Sequence, residues 1–188
     1  MAKRICPWWL GYLLASPVRR WLQGDPAALL RPYVSEGMTV LEPGPGMGFF
    51  TLELARQVGP SGRVVAVDVQ ARMINGLKRR LAKAGLLERV DARVSTPESL
   101  GLRDLAGKVD FTLAMAVVHE MPSASWFFGQ AAEAMKAGGT LLLAEPSGHV
   151  DEAEFAAELD AAAQVGLIVA DRPEVRRSRA ALLKKNAA

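Results

Sequence analysis

The apolar positions along the chain alternate between two patterns. Short continuous runs rich in Val, Leu and Ala recur near 37–41, 63–69, 89–94, 109–118 and 138–145. Runs of this length without a polar face predict strands buried on both sides. Between them the spacing is helical. Helices are expected over 51–58, over 70–84 with Met73, Ile74, Leu77 and Leu81 on one stripe, from about Ser123, and over the acidic, Ala-rich 151–164. Asp25-Pro26 has the form of a cap followed by proline at the first position of a short helix. Gly59-Pro60-Ser61-Gly62, Gly85 and Gly166 punctuate the pattern. The chain closes on 167–170 and 178–185, which read as a strand pair. Strands alternating with helices predict a parallel sheet with helices on both faces, an α/β three-layer sandwich.

Composition narrows this reading little. A chain of 188 residues, half hydrophobic and 23% charged, is long enough for one domain with a sizeable core. Its formal charge of +3 permits acidic partners without demanding nucleic acid. The single Cys6 excludes an internal disulfide and a cysteine-rich metal site, and suits a reducing cytoplasm. Lys3 and Arg4 precede an apolar run over 5–15, the outline of an export signal. Pro7, Trp8, Trp9 and Tyr12 interrupt it, no cleavage site follows, and it is too short to span a bilayer. A cytoplasmic protein without a transmembrane segment is expected. Residues 5–22 also carry Trp21, Arg19 and Arg20. This segment is read first as an arm packed on the domain, then as a lid, then as an interfacial anchor. The organisation expected is a helical, aromatic arm over 1–36 attached to a nucleotide-binding domain over 37–188.

The chemistry concentrates at Val40-Leu41-Glu42-Pro43-Gly44-Pro45-Gly46-Met47-Gly48, between the first strand and its helix. A strand, a glycine turn and a helix start form a nucleotide-binding turn, because glycine admits positive φ and close approach of a ligand. A dinucleotide fingerprint would place its third glycine at 49, where Phe stands, and a P-loop would need Gly-Lys-Ser/Thr. Glu42 would repel a pyrophosphate and attract a cation. Asp68 ends the second strand at the distance from the loop where an acid holds ribose hydroxyls.

Glu42 with Gly44, Gly46 and Gly48 resembles the first motif of class I S-adenosylmethionine (SAM)-dependent methyltransferases, acidic-x-Gly-x-Gly-x-Gly. The resemblance spans roughly 37–185. It implies a seven-stranded, mostly parallel sheet whose last strand is antiparallel. It implies SAM as methyl donor, with S-adenosylhomocysteine as product. Glu42 would face the methionine ammonium, Gly44 and Gly46 would let the loop approach the methionine and ribose, and Asp68 would hold the ribose. Val69 and Met73 would lie beside the adenine, although Met73 reads equally well as core. Thr96 stands where the family often has an adenine-binding Asp. Ala114 and Met115 would flank the cofactor.

His119 is the best-placed candidate for a general base, since imidazole titrates near neutrality. A helix-capping or satisfied polar residue is the plainer reading of the same position and stands slightly ahead of it. Glu120 and His149 are weaker candidates, and His119, Glu120, Glu145 and His149 lack recognised metal-ligand spacing. No Asn/Asp-Pro-Pro-Tyr follows the fourth strand, and arsenite-methylating relatives depend on several cysteines. The expected activity is therefore methyl transfer to a small molecule. The alternatives are a non-catalytic SAM-binding module, or a methyltransferase of RNA or protein. The cluster Arg172, Arg176, Arg177 and Arg179 is the feature that would suit RNA, although such a run is usually a solvated face.

Overall fold

The computed structural model describes residues 24–186. The aromatic segment carrying Trp8, Trp9, Tyr12, Trp21, Arg19 and Arg20 lies outside the described residues. The strands form a seven-stranded mixed sheet. The described residues fall into two compact units, divided at Leu100/Gly101.

The first unit holds α1 (Pro26–Leu30), β1 (Thr39–Pro43), α2 (Thr51–Gln57), β2 (Arg63–Asp68), α3 (Ala71–Lys83) and β3 (Val90–Val94). Asp25 takes the N-cap position of α1, with proline at the start of the helix, but makes no side-chain cap. β1 pairs with β2, and β2 with β3, all parallel. Val64 to Val67 are all buried, as expected of a strand covered on both faces. Met73, Ile74, Leu77 and Leu81 form the buried stripe of α3, which packs on β2 and β3.

The second unit holds β4 (Val109–Met115), α4 (Ala124–Ala134), β5 (Met135–Pro146), α5 (Glu152–Ala163), β6 (Leu167–Asp171) and β7 (Ser178–Lys185). β4 and β5 are parallel, and β7 runs antiparallel to both β5 and β6. β5 starts directly after α4, three residues before the expected glycine turn. Its ladder with β4 is irregular there: Met135 pairs with Val109, and regular pairing resumes only at Thr140 with Phe111. α5 begins in a capping box, in which Asp151 Oδ1 accepts the Glu154 N–H at 2.8 Å and Glu154 Oε2 accepts the Asp151 N–H at 2.9 Å.

Gly48 shows how the core of the first unit reaches the glycine loop. A Cβ there would lie 2.5 Å from Leu77 Cδ1 and 2.9 Å from Leu52 Cδ1, on a backbone with φ of 84°. Gly48→Ala is expected to cost about 2 kcal/mol through overpacking and backbone strain. Urea unfolding should show a lower midpoint at unchanged slope. An unshifted midpoint would mean that this packing is not what requires glycine.

Candidate functional site

Glu42 is the penultimate residue of β1 and only 3% exposed. Beyond it the chain turns through positive φ at Gly44 (64°), Gly46 (56°) and Gly48 (84°). The loop is tied down at several points. The Gly44 N–H donates to the Val67 carbonyl at 2.9 Å, and the Gly48 N–H to the Pro45 carbonyl at 3.0 Å. The Arg80 guanidinium of α3 donates to the Met47 carbonyl, and burial lowers the Arg80 pKa. Met47 is itself buried, against Gly76 of the same helix. The glycines serve different ends. Gly48 is crowded by core side chains, whereas a Cβ on Gly46 would meet nothing within 4 Å. The loop therefore presents an open stretch of backbone at Gly46.

Asp68 ends β2 as expected. Its Oδ1 accepts the Gln70 N–H at 2.8 Å, which fixes the carboxylate in the turn into α3. Val69 follows as a 42% exposed apolar side chain, a surface suited to a flat ligand. Met73 is buried in the stripe of α3. Thr96 is exposed, and its hydroxyl accepts the Ser99 N–H at 3.2 Å. Ala114 is fully buried in β4, so its methyl group packs in the core.

In the second unit, the exit from β4 is unusual. Ala116 has φ of 55°, a left-handed conformation that costs a non-glycine residue on the order of 1–3 kcal/mol. Its N–H donates to the Ala144 carbonyl at 2.8 Å. The next two N–H groups, of Val117 and Val118, donate to Glu145 Oε1 at 3.1 and 2.7 Å. The short 3₁₀ turn Val118–Glu120 follows and carries His119. His119 Nδ1 hydrogen-bonds the other oxygen of the same carboxylate, Glu145 Oε2. Glu145 is 0% exposed, and the His119 side chain is 23% exposed. The His149 ring lies 5.7 Å from that of His119, tilted by 58°.

The hydrogen bond from Glu145 is the main cause of a raised His119 pKa. Burial opposes it, and the charges of Glu145, Glu120 and Glu158 add to it. The sequence placed His119 here but had no sign that Glu145, 26 residues away, accepts from it. Among the described residues no group of three or more His, Cys, Asp or Glu is arranged to hold a metal ion. No helix among them is long and apolar enough to cross a membrane. The arginine cluster is not uniform. Arg179 donates to the Ser147 and Val150 carbonyls at 3.2 and 2.7 Å and so braces the loop after β5.

A family model described as a methyltransferase domain matches residues 34–177. The chain is 34% identical over 119 residues to a ubiquinone biosynthesis O-methyltransferase of Paramagnetospirillum magneticum, covering 63% of this chain and 44% of that protein. It is 29% identical over 122 residues to an arsenite methyltransferase of Halobacterium salinarum, covering 65% of this chain and 30% of that protein. The chain thus spans less than half the length of both relatives. A SAM-dependent methyltransferase structure from Aquifex aeolicus superposes with a TM-score of 0.82 at 26% identity, covering 96% of this chain and 98% of that one.

The raised His119 pKa has a consequence for stability. An imidazole that binds its proton more tightly when folded stabilises the fold fully below its unfolded pKa, near 6.5. That contribution is lost as pH rises through the higher folded value. Urea unfolding from about pH 5 to about pH 9 should show wild type losing stability relative to His119→Gln across this window. Parallel curves would contradict the raised pKa.

Proposed function

The chain belongs to the methyltransferase-domain family, and from that premise we propose that it is a SAM-dependent methyltransferase acting on a small-molecule acceptor with an ionisable proton. The observation that carries this reading is the glycine loop. Gly46 offers open, positive-φ backbone, with the acid Glu42 buried at the end of the strand that leads into it. A buried carboxylate beside exposed backbone suits the cationic, phosphate-free methionine end of SAM and opposes a pyrophosphate. The residues present thus fit the group. Glu42 would hold the ammonium, Gly44 and Gly46 would admit the methionine and ribose, and Asp68 would hold the ribose hydroxyls. Val69 would cover an adenine face, with the loop at Thr96 bordering it. The buried Met73 would support that surface from beneath.

SAM supplies an electrophilic methyl group whose bonding pair stays with sulfur on transfer. The chain's own contribution is orientation, since a well-aligned pair of reactants needs little further catalysis. His119 is assigned the proton of the acceptor. The Paramagnetospirillum relative is an O-methyltransferase, which supports a hydroxyl acceptor. An arsenite acceptor is disfavoured because this chain has one cysteine. A cytoplasmic location remains part of the proposal, and a small molecule is favoured over nucleic acid as the acceptor because Arg179 of the basic cluster is engaged with backbone carbonyls.

Calorimetric titration with SAM, S-adenosylhomocysteine, NADH and NADPH tests it. Binding of the two SAM-family ligands is expected. Glu42→Ala should weaken it by about 10- to 100-fold, the loss of one charge-assisted hydrogen bond. Binding of a nicotinamide cofactor alone would sink the methyltransferase reading.

A further inference from the structure

We propose that Glu145 is a positioning residue that fixes His119 as the Nδ1–H tautomer, leaving the Nε2 lone pair as the one that accepts a proton. The proposal rests on the assignment of His119 as the base, but its geometry stands apart from any ligand. Three donors converge on one fully buried carboxylate: the N–H groups of Val117 and Val118 on Oε1, and His119 Nδ1 on Oε2. An ionised carboxylate only accepts, so the Nδ1 facing it carries a hydrogen. Free imidazole offers either nitrogen as the base. Here the choice is made by a side chain that is fully buried.

The same carboxylate holds the turn in which His119 sits. Ala116 is left-handed, and a backbone conformation of that kind persists only where its surroundings impose it. The Ala144 carbonyl takes the N–H of Ala116, and Glu145 takes the next two. Glu145 and Ala144 are consecutive in β5, so one strand end sets both the path of the turn and the orientation of the ring it carries. In the proton transfer, the acceptor's X–H bond breaks with its pair left on the acceptor atom. The proton bonds to Nε2, and the imidazolium so formed is faced by Glu145, with Glu120 and Glu158 contributing further negative charge. The proton then passes to solvent, and the exposed His149 ring lies alongside.

The chain has two histidines, so both imidazoles of a tag-free protein labelled with ¹⁵N-histidine are resolvable by NMR, with His149→Asn supplying the assignment. Above its titration midpoint, wild-type His119 should show a protonated Nδ1 and a bare Nε2. The opposite tautomer, or an even mixture of the two, would overturn the proposal. Glu145→Gln keeps the shape but offers only one accepting oxygen. With that oxygen on the backbone N–H groups, its amide donates to Nδ1. The tautomer should then invert and the His119 midpoint fall. Glu145→Asp should restore the wild-type tautomer in part, which a purely structural role would not require. A folded Glu145→Gln protein with unchanged tautomer and midpoint would overturn the assignment. Should that variant fail to fold, the wild-type tautomer decides alone. Loss of SAM binding in wild type would sink the functional reading without touching the NMR result, and the converse holds as well.

Discussion

Strands buried on both faces leave polar chemistry only one place to go, the strand ends. Val64 to Val67 of β2, Phe111 to Met115 of β4 and Leu141 to Ala144 of β5 are buried without a break. A charged side chain inside such a run would cost several kcal/mol unless fully partnered. The acids that matter stand accordingly at the carboxyl ends. Glu42 and Glu145 are each the penultimate residue of a strand, and Asp68 is the last of its own. Such an acid can then meet the N–H groups of a loop beside the strand end. Asp68 does so within two residues, through Gln70, and Glu145 does so across 27 and 28 residues, through Val118 and Val117.

These placements produce different chemistry from the same residue type. Asp68 is half-buried, and its own turn holds it at the rim of β2. Glu145 is enclosed, so its two oxygens are committed to stationary donors and its orientation is set by the fold. A carboxylate with both oxygens committed to fixed donors is poorly suited to meeting a ligand and well suited to orienting a neighbouring side chain. The strained Ala116 belongs to the same arrangement, because the hydrogen bonds of the three residues from 116 to 118 all end on consecutive residues of β5.

What the sequence made legible follows from range. Continuous apolar runs and helical spacing are local signals, and they located every strand and the long helices to within a few residues. The boundaries moved where non-local pairing decides them. β4 ends at Met115 because Ala116 turns left-handed and the next N–H groups find a side chain rather than a strand. β5 begins early because Met135 pairs with Val109 before the irregularity. The glycine motif was legible as a motif, but the division of labour within it was not. Gly46 faces open space while Gly48 is pressed by Leu77, a residue of the next helix but one along the chain. The Arg80 contact with the Met47 carbonyl, 33 residues apart, left no trace in spacing. Neither did the partnership of Glu145 with His119. In the sequence Glu145 ends an apolar run and meets His119 only in a set of four side chains without metal-ligand spacing.

The Glu145 hydrogen bond also sets a limit on His119 in the role of base proposed for it. A base must be deprotonated to act, and its affinity for the proton must still be high enough to take one, so the best compromise lies near the working pH. Three carboxylates push the imidazole toward keeping its proton, and partial burial pushes the other way. Were the pocket fully dry, desolvation would discharge the ring and weaken it as a base. Were it fully wet, the carboxylates would be screened and the ring would behave as it does in water. A ring about one quarter exposed, hydrogen-bonded at one nitrogen to an enclosed acid, stands between these limits. Its remaining nitrogen is thus both the more basic for the company of Glu145 and the only one left to react.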